Sequence, residues 1–330
     1  MLDHVSHRVE NDDHELLYFW ALGDLHFRAE AQWNALHTQR MQPLFQDLQR
    51  VWREEEAPMF CVSPGDLVER GSAENYALAK AQLAKHLRDM PFYPGIGNHE
   101  FYPENGEMAI HPPEDFTKVW NKPPRYFWLL NGVLCIMLDQ PDPWVPEPMK
   151  INPVYFSEES LSFLRTTLSQ HPHHTAIVFA HCPLHNTVLD RDPVRNLDDD
   201  SQDTFFYVEN SHEVRAILAE HAHGALYICG HTHSGWGSPN LIFTETLGNH
   251  PVTHINLMSP WYTGTRGGPR LDPATNQWEY RPDAPDIQSS FAIRVYRDRA
   301  VIRMRHHPTQ AWMAEWTVPL QPASSISNNK

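Results

Sequence analysis

Five short stretches of this chain set glycine, or the end of an apolar run, beside side chains that can bind a cation. They are GDLHF with Asp24 and His26, GDLVERG with Asp66, GNHE with Asn98 and His99, AHCP with His181, and GHTH with His231 and His233. With His99 set apart, two aspartates, one asparagine and four histidines remain. They are oxygen and imidazole donors without thiolate, a set suited to Mn, Fe or Zn rather than to a soft-metal centre. Such a set is too large for one tetrahedral ion and too small for two separate closed sites. It suffices for two ions that share a carboxylate, with solvent completing their coordination. Asp66 is the expected bridge, because a carboxylate has two oxygens and the other acid, Asp24, comes with its own histidine.

Side chains at i and i+2 of an extended chain point to the same side. Asp24 with His26, and His231 with His233, can therefore each deliver a pair into one cavity. Glycine beside a donor allows a sharp exit from a strand and close approach of a ligand. Taken singly, a DxH or a GNH has a structural reading as a turn. The metal reading rests on all five in series, each at the end of an apolar run.

Those runs set the frame. LLYFWALGD, MFCVSPGD, PFYPGIGNHE, TAIVFAH and ALYICGH read as strands that end in the five polar stretches. Between them lie helical patterns: 29–56, with an interruption expected near Pro43; 72–90, with Ser72 as N-cap; SEESLSFLRTTLSQ; and SHEVRAILAEH. The steps between donor stretches each leave room for a helix and a return strand, so all five loops can leave one edge of a sheet, where α/β proteins place their sites. RYFWLLNGVLCIMLD reads as a hairpin turning at Asn131-Gly132. PVTHINLMS, SFAIRVYRDR, AVIRMRHH and AWMAEWTVPL read as sequential antiparallel strands near the C-terminus.

Composition narrows the class further. A chain of 330 residues with 41% hydrophobic content can bury a substantial core. Its 26 basic against 41 acidic residues give a formal charge of −15, which disfavours a nucleic-acid duplex or an anionic membrane as partner. No run approaches a membrane span and no basic-then-apolar leader opens the sequence, so a cytoplasmic location is expected. Cys61, Cys135, Cys182 and Cys229 are far apart with no CxxC pair, and are expected to be reduced and mostly buried. One domain over 16–320 is expected, with insertions near 183–210 and 261–289 and disordered tails at 1–15 and 321–330. The insertions would choose the substrate. Arg191, Arg195, Arg266 and Arg270 are candidate anion contacts, and Trp144, Trp236 and Trp261 a candidate aromatic wall, with solvated arginines and core tryptophans as the plainer readings.

In this order the blocks resemble those of the calcineurin-like metallophosphoesterase superfamily: DxH, GDxx, GNH(E/D), a lone His, then GHxH. The resemblance runs from Asp24 to His233. It implies an α/β fold, an α/β/β/α four-layer sandwich of two mixed β-sheets flanked by helices, with a dinuclear centre at one edge. It implies one ion on Asp24, His26, Asp66 and His233, and another on Asp66, Asn98, His181 and His231. His99 would then face the leaving-group oxygen, oriented by Glu69 or Glu100, and Arg70 would meet phosphate. In the serine/threonine phosphatase branch the second block reads GDxxDRG. Here Glu69 replaces the second Asp, and AHCPLH lacks the glycines that branch carries after its lone histidine. The tyrosine that purple acid phosphatases place after this GD is absent, and cyclic nucleotide phosphodiesterases share the same metal blocks.

The implied activity is hydrolysis of a small phosphorylated or nucleotide-type substrate, as a phosphatase or phosphodiesterase. It would use two divalent or mixed-valence ions (Mn, Fe or Zn) and a hydroxide bridging them. The alternative is a catalytically weak metal-binding scaffold or interaction protein of the same fold. Monoester against diester, and oligomeric state, stay open. Other chemistries fail on spacing: SGWG after His233 does not complete HxHxDH, HELLY at His14 is not HExxH, and Cys182 points away from its strand neighbour His181.

Overall fold

The computed structural model describes residues 14–102, 104, 114–139, 154–188, 207–233, 241–261, 268–281 and 287–321. Two six-stranded sheets dominate it. In the first, β1 (Glu15–Ala21) runs parallel to β2 (Phe60–Ser63), and β2 parallel to β3 (Phe92–Pro94). On its other side β1 pairs antiparallel with β12 (Ser289–Tyr296), which continues antiparallel through β13 (Arg299–His306) and β14 (Ala311–Pro319).

The second sheet has the order β4-β5-β6-β7-β9-β8. The hairpin β4 (Tyr126–Leu130) and β5 (Val133–Met137) turns at Asn131 and Gly132, both at positive φ, as the Asn-Gly pair predicts. Strands β5, β6 (Thr175–Phe179), β7 (Ala225–Cys229) and β9 (His250–Asn256) are parallel, and β8 (Ile242–Leu247) closes the edge antiparallel to β9.

Alternation along the strands builds three cores. Leu17, Phe19 and Ala21 of β1 face Cys135, Met137, Ile177, Phe179 and Ile228 of the other sheet, so one apolar layer lies between the sheets. The opposite side of β1, Tyr18 and Trp20, packs under α1 (Ala31–Glu54) and α2 (Ala73–Leu87). Likewise Leu134, Val178 and Tyr227 pack under α4 (Glu158–Gln170) and α5 (Ser211–Glu220). The result is the helix–sheet–sheet–helix sandwich expected from the resemblance. A short α3 (Glu114–Trp120) adds Phe116 to the α1/α2 core. Among the described residues no helix is long and apolar enough to cross a membrane.

Two local expectations are corrected. Helix α1 runs unbroken through Pro43. The missing N–H deprives only the carbonyl of Gln39, an exposed residue where water can substitute, while Met41, Leu44, Phe45 and Leu48 bury the opposite face. PVTHINLMS does not join the C-terminal antiparallel strands. As β9 it lies beside β7 in the second sheet, where its all-buried pattern suits a central parallel strand. The stretch 261–289 contains a two-stranded hairpin, β10 (Gly268–Asp272) with β11 (Gln277–Arg281). As expected, Ser72 caps α2 by accepting from Asn75 N–H, and the four cysteines are free and buried.

Candidate metal centre

All five donor stretches leave the C-terminal ends of parallel strands: Asp24 after β1, Asp66 after β2, Asn98 after β3, His181 after β6, His231 and His233 after β7. The two sheets thus bring residues distant in sequence to one edge of the sandwich. Asp24, His26, Asp66 and His233 form one group whose donor atoms all lie within 4.8 Å of one another; Asp66, His181 and His231 form a second. Asn98 joins the second group, its Oδ1 3.0 Å from His181 Nε2.

Asp66 belongs to both groups, and its two oxygens are not equivalent. Oδ1 accepts from the His99 backbone N–H at 2.9 Å. Oδ2 lies 3.2 Å from His181 Nε2 and 3.9 Å from His26 Nε2, so one oxygen faces both groups.

The backbone is bent to achieve this. His26, Asp66, His231 and His233 have φ of 51°, 49°, 72° and 50°, a left-handed conformation costing roughly 1–3 kcal/mol at a non-glycine residue. Compensation comes from contacts between the loops. Leu25 and His26 N–H groups donate to the Asp66 carbonyl, and His231 N–H donates to Asp24 Oδ1 at 3.1 Å. Glu100, 1% exposed, accepts from the N–H groups of Gly97, Asp66 and Val68 at 2.6, 3.0 and 3.1 Å. Glu100 therefore clamps the second and third loops and does not orient His99. Burial, with the Asp66 charge close by, pushes its carboxyl up to about 7. Two glycines are required for space: a Cβ on Gly97 would lie 2.2 Å from Asp66 Oδ1, and one on Gly230 2.7 Å from Asp24 Oδ2.

The His99 ring is turned by Glu69, not by Glu100. Its Nδ1 lies 3.2 Å from Glu69 Oε2 and 3.1 Å from the Glu69 carbonyl, so Nε2 is the end turned away from Glu69. Glu69 Oε2 also lies 2.9 Å from His26 Nδ1. Burial would lower His99, but the Glu69 and Asp66 carboxylates outweigh it and hold the imidazole up to about 10. Burial would raise Glu69, yet His99 and His26 hold its carboxyl well below the usual range.

The donor set fits cations. Burial raises Asp24, with Asp66 beside it adding to the effect. Burial and the His26 ring push His233 well below the usual histidine value, which keeps its nitrogen lone pair available. The Nε2 atoms of His26 and His233 face each other at 3.1 Å. Among the described residues Asp24 Oδ2 and His181 Nδ1 are buried without a hydrogen-bond partner, with His181 Nδ1 3.4 Å from Asp24 Oδ1. A buried cluster of acceptors and imidazole nitrogens is unfavourable unless positive charge compensates it.

Other expected participants divide. The guanidinium of Arg70 does not enter the donor groups; it lies over the Tyr102 ring, 5.6 Å from the centroid, and the edge of that ring meets His99. Trp261 is 0% exposed and packs on Trp33, His37 and Tyr280, so it is core and no part of a substrate wall. Arg270 is exposed on β10. Trp144, Trp236, Arg191, Arg195 and Arg266 lie outside the described residues, as do 1–13 and 322–330.

Several residues that position the loops were not anticipated. Asn75 of α2 joins three loops, with Ala29 N–H donating to its Oδ1 and its Nδ2 donating to the Arg70 carbonyl and to Glu104. Asn256 donates to Thr232 Oγ1, between the two histidines of GHTH, and Ser259 Oγ donates to the Asp24 carbonyl. Asn and Ser at such offsets carry no signal in a sequence read alone. Tyr102, three residues past His99, was within reach of a closer reading of its block.

The sequence profile of the calcineurin-like phosphoesterases matches residues 17–235. Among solved structures, GAP50, the anchor in the inner membrane complex of Plasmodium, is similar with a TM-score of 0.50 and 14% identity over 94% of this chain and 91% of that one. PhoD is similar with a TM-score of 0.52 and 10% identity over 95% of this chain and 72% of that one. At these identities the likeness concerns the fold. No match was found among curated proteins.

Proposed function

Since the chain belongs to the calcineurin-like phosphoesterase family, we propose that it hydrolyses phosphoester bonds of a small phosphorylated or nucleotide-type substrate with two divalent ions. Asp24, His26, Asp66 and His233 would hold one ion, and Asp66, Asn98, His181 and His231 the other. When bound, the pair supplies a water acidic enough to attack at neutral pH and positive charge for the phosphoryl oxygens.

The chain's own residues do the rest. Asp66 Oδ2 sets the separation of the two donor groups, because it faces both. His99, its Nδ1 fixed by Glu69, presents Nε2 with its proton to the departing ester oxygen, and general acids of this kind contribute roughly 10²–10⁴ in rate. Arg70, over the Tyr102 ring whose neighbour is His99, is the candidate for a charge-assisted contact to phosphate.

The observation that carries this reading is the convergence of two donor groups on one shared carboxylate beside a histidine that belongs to neither. A Mn-supplemented screen of p-nitrophenyl phosphate, bis-p-nitrophenyl phosphate, cyclic nucleotides and dinucleoside polyphosphates tests it. Turnover of at least one class is expected. Failure on all four, with metal bound, would favour the scaffold reading, for which the fold shared with an anchor protein offers a precedent.

A further inference from the structure

The segment that carries the first donor pair, Asp24 and His26, divides its hydrogen bonds by type. Its N–H groups go to backbone: Leu25 and His26 donate to the Asp66 carbonyl at 2.8 and 2.9 Å, and Phe27 donates to the Leu67 carbonyl at 2.8 Å. The three carbonyls from Asp24 to His26 accept from side chains. Ser259 Oγ donates to the Asp24 carbonyl at 2.7 Å, His37 Nε2–H to the Leu25 carbonyl at 2.6 Å, and Trp33 Nε1–H to the His26 carbonyl at 3.1 Å. Both donors of the pair thus have their own carbonyls held by a side chain from elsewhere in the chain.

Trp33 is itself fixed on both sides of that bond. The Glu30 carboxylate caps α1 by accepting from the N–H groups of Gln32 and Trp33 at 3.1 and 2.8 Å, which seats Trp33 in the first turn. Its buried ring packs on Trp261 and edge-on to Trp278 of β11, with centroids 5.7 and 5.1 Å away. The carbonyl that Trp33 holds belongs to a residue at φ 51°, whose Nε2 lies 3.1 Å from His233 Nε2 and 3.9 Å from Asp66 Oδ2. A left-handed residue other than glycine persists only where its surroundings over-determine it.

We propose that Trp33 and Ser259 are positioning residues of the first donor group: through the carbonyls of His26 and Asp24 they hold the backbone bend from which the two donors converge. The proposal rests on the two-ion reading above and adds to it two residues that bind no metal themselves.

Trp261 provides the control. It is buried in the same aromatic cluster, but among the described residues its Nε1 has no hydrogen-bond partner. Trp33→Phe and Trp261→Phe therefore make the same change of ring, and only the first takes an N–H away from a donor's carbonyl.

The test is a Mn²⁺ titration of the purified protein, read from the EPR signal of free Mn²⁺. The d–d absorption of the Co²⁺-loaded protein gives a second readout, of coordination geometry. Trp33→Phe is expected to weaken one of two Mn²⁺ affinities about 10-fold, the scale on which partners behind a ligand act, and to shift the Co²⁺ bands. Ser259→Ala, a smaller change, is expected to weaken the same affinity, and keeps the test decisive should Trp33→Phe fail to fold. Trp261→Phe should lose stability in urea as Trp33→Phe does, yet keep both affinities within about 2-fold and leave the Co²⁺ bands in place.

Equal weakening in Trp33→Phe and Trp261→Phe would reduce Trp33 to packing and overturn the proposal. So would wild-type Mn²⁺ affinities in whichever of Trp33→Phe and Ser259→Ala folds, or a wild type that takes up fewer than two ions. A wild type that binds two ions, with only the Trp33 and Ser259 variants weakened, yet hydrolyses no ester keeps this inference and removes the phosphoesterase reading.

Discussion

Glu69 Oε2 lies 2.9 Å from His26 Nδ1, so the imidazole of the first donor group is braced from behind and turns Nε2 toward Asp66 and His233. The same oxygen lies 3.2 Å from His99 Nδ1. One carboxylate atom therefore faces a proposed metal donor and the proposed acid together.

Glu69→Gln should damage both roles. The neutral amide cannot offset two imidazoles by charge as the carboxylate does, and partners of this kind are worth roughly 10- to 100-fold in metal affinity. Lower Mn²⁺ affinity together with lower kcat at saturating Mn²⁺ is expected. A variant that loses kcat while binding Mn²⁺ like wild type would confine Glu69 to His99.

His99→Ala separates chemistry from binding. His99 donates no side-chain atom to the two groups of seven donors, so metal content measured by elemental analysis should match wild type. Turnover should fall roughly 10²–10⁴-fold on alkyl esters, which need a proton on departure, and less on p-nitrophenyl esters, whose leaving group is stable as an anion. Equal losses on both would remove the acid role.

Asp66→Asn addresses the shared ligand. The substituted amide can keep its oxygen on the His99 N–H, where Oδ1 now sits, and would then turn nitrogen toward both donor groups. Loss of both ions on dialysis is expected. Two ions retained with wild-type affinity would show that the bridge lies elsewhere.

How much of this was legible in sequence depends on distance along the chain. Asp24 with His26, and His231 with His233, announce themselves as local pairs, and the five strand ends, four of them marked by glycine, predict convergence because parallel strands put their C-terminal ends on one edge. The sandwich itself was reached through resemblance. What sequence concealed is contact between loops. Glu100 looked like an orienting acid for its neighbour His99, but it spends both oxygens on the N–H groups of Gly97, Asp66 and Val68. Strand β9 looked like the first of the C-terminal antiparallel set because alternation and β-propensity do not report the partner; its seven buried residues reveal a central strand only once β7 and β8 flank it. Trp261 looked equally able to line a pocket or a core, and packing against Trp33 and His37 decides for the core.

His37 should make stability depend on pH. Its ring is 1% exposed on the buried face of α1, packed between Phe27 and Trp261, with Nε2–H donating to the Leu25 carbonyl at 2.6 Å. Burial opposes its protonation and outweighs that hydrogen bond, lowering the imidazole to about 4. An unfolded chain would protonate near the ordinary value of about 6.5. Above that value both states are neutral, and the contribution of the buried neutral ring is complete. As pH falls below it the unfolded state takes up a proton first, so folding weakens until the native ring also protonates near 4, a total of roughly 3 kcal/mol. Between pH 7.5 and 5.0 the wild type should therefore lose about 2 kcal/mol more than His37→Gln, as read from urea unfolding of both proteins in EDTA. Parallel pH slopes for the two proteins would assign the proton uptake to other buried histidines, of which His307 and His254 are the nearest in kind.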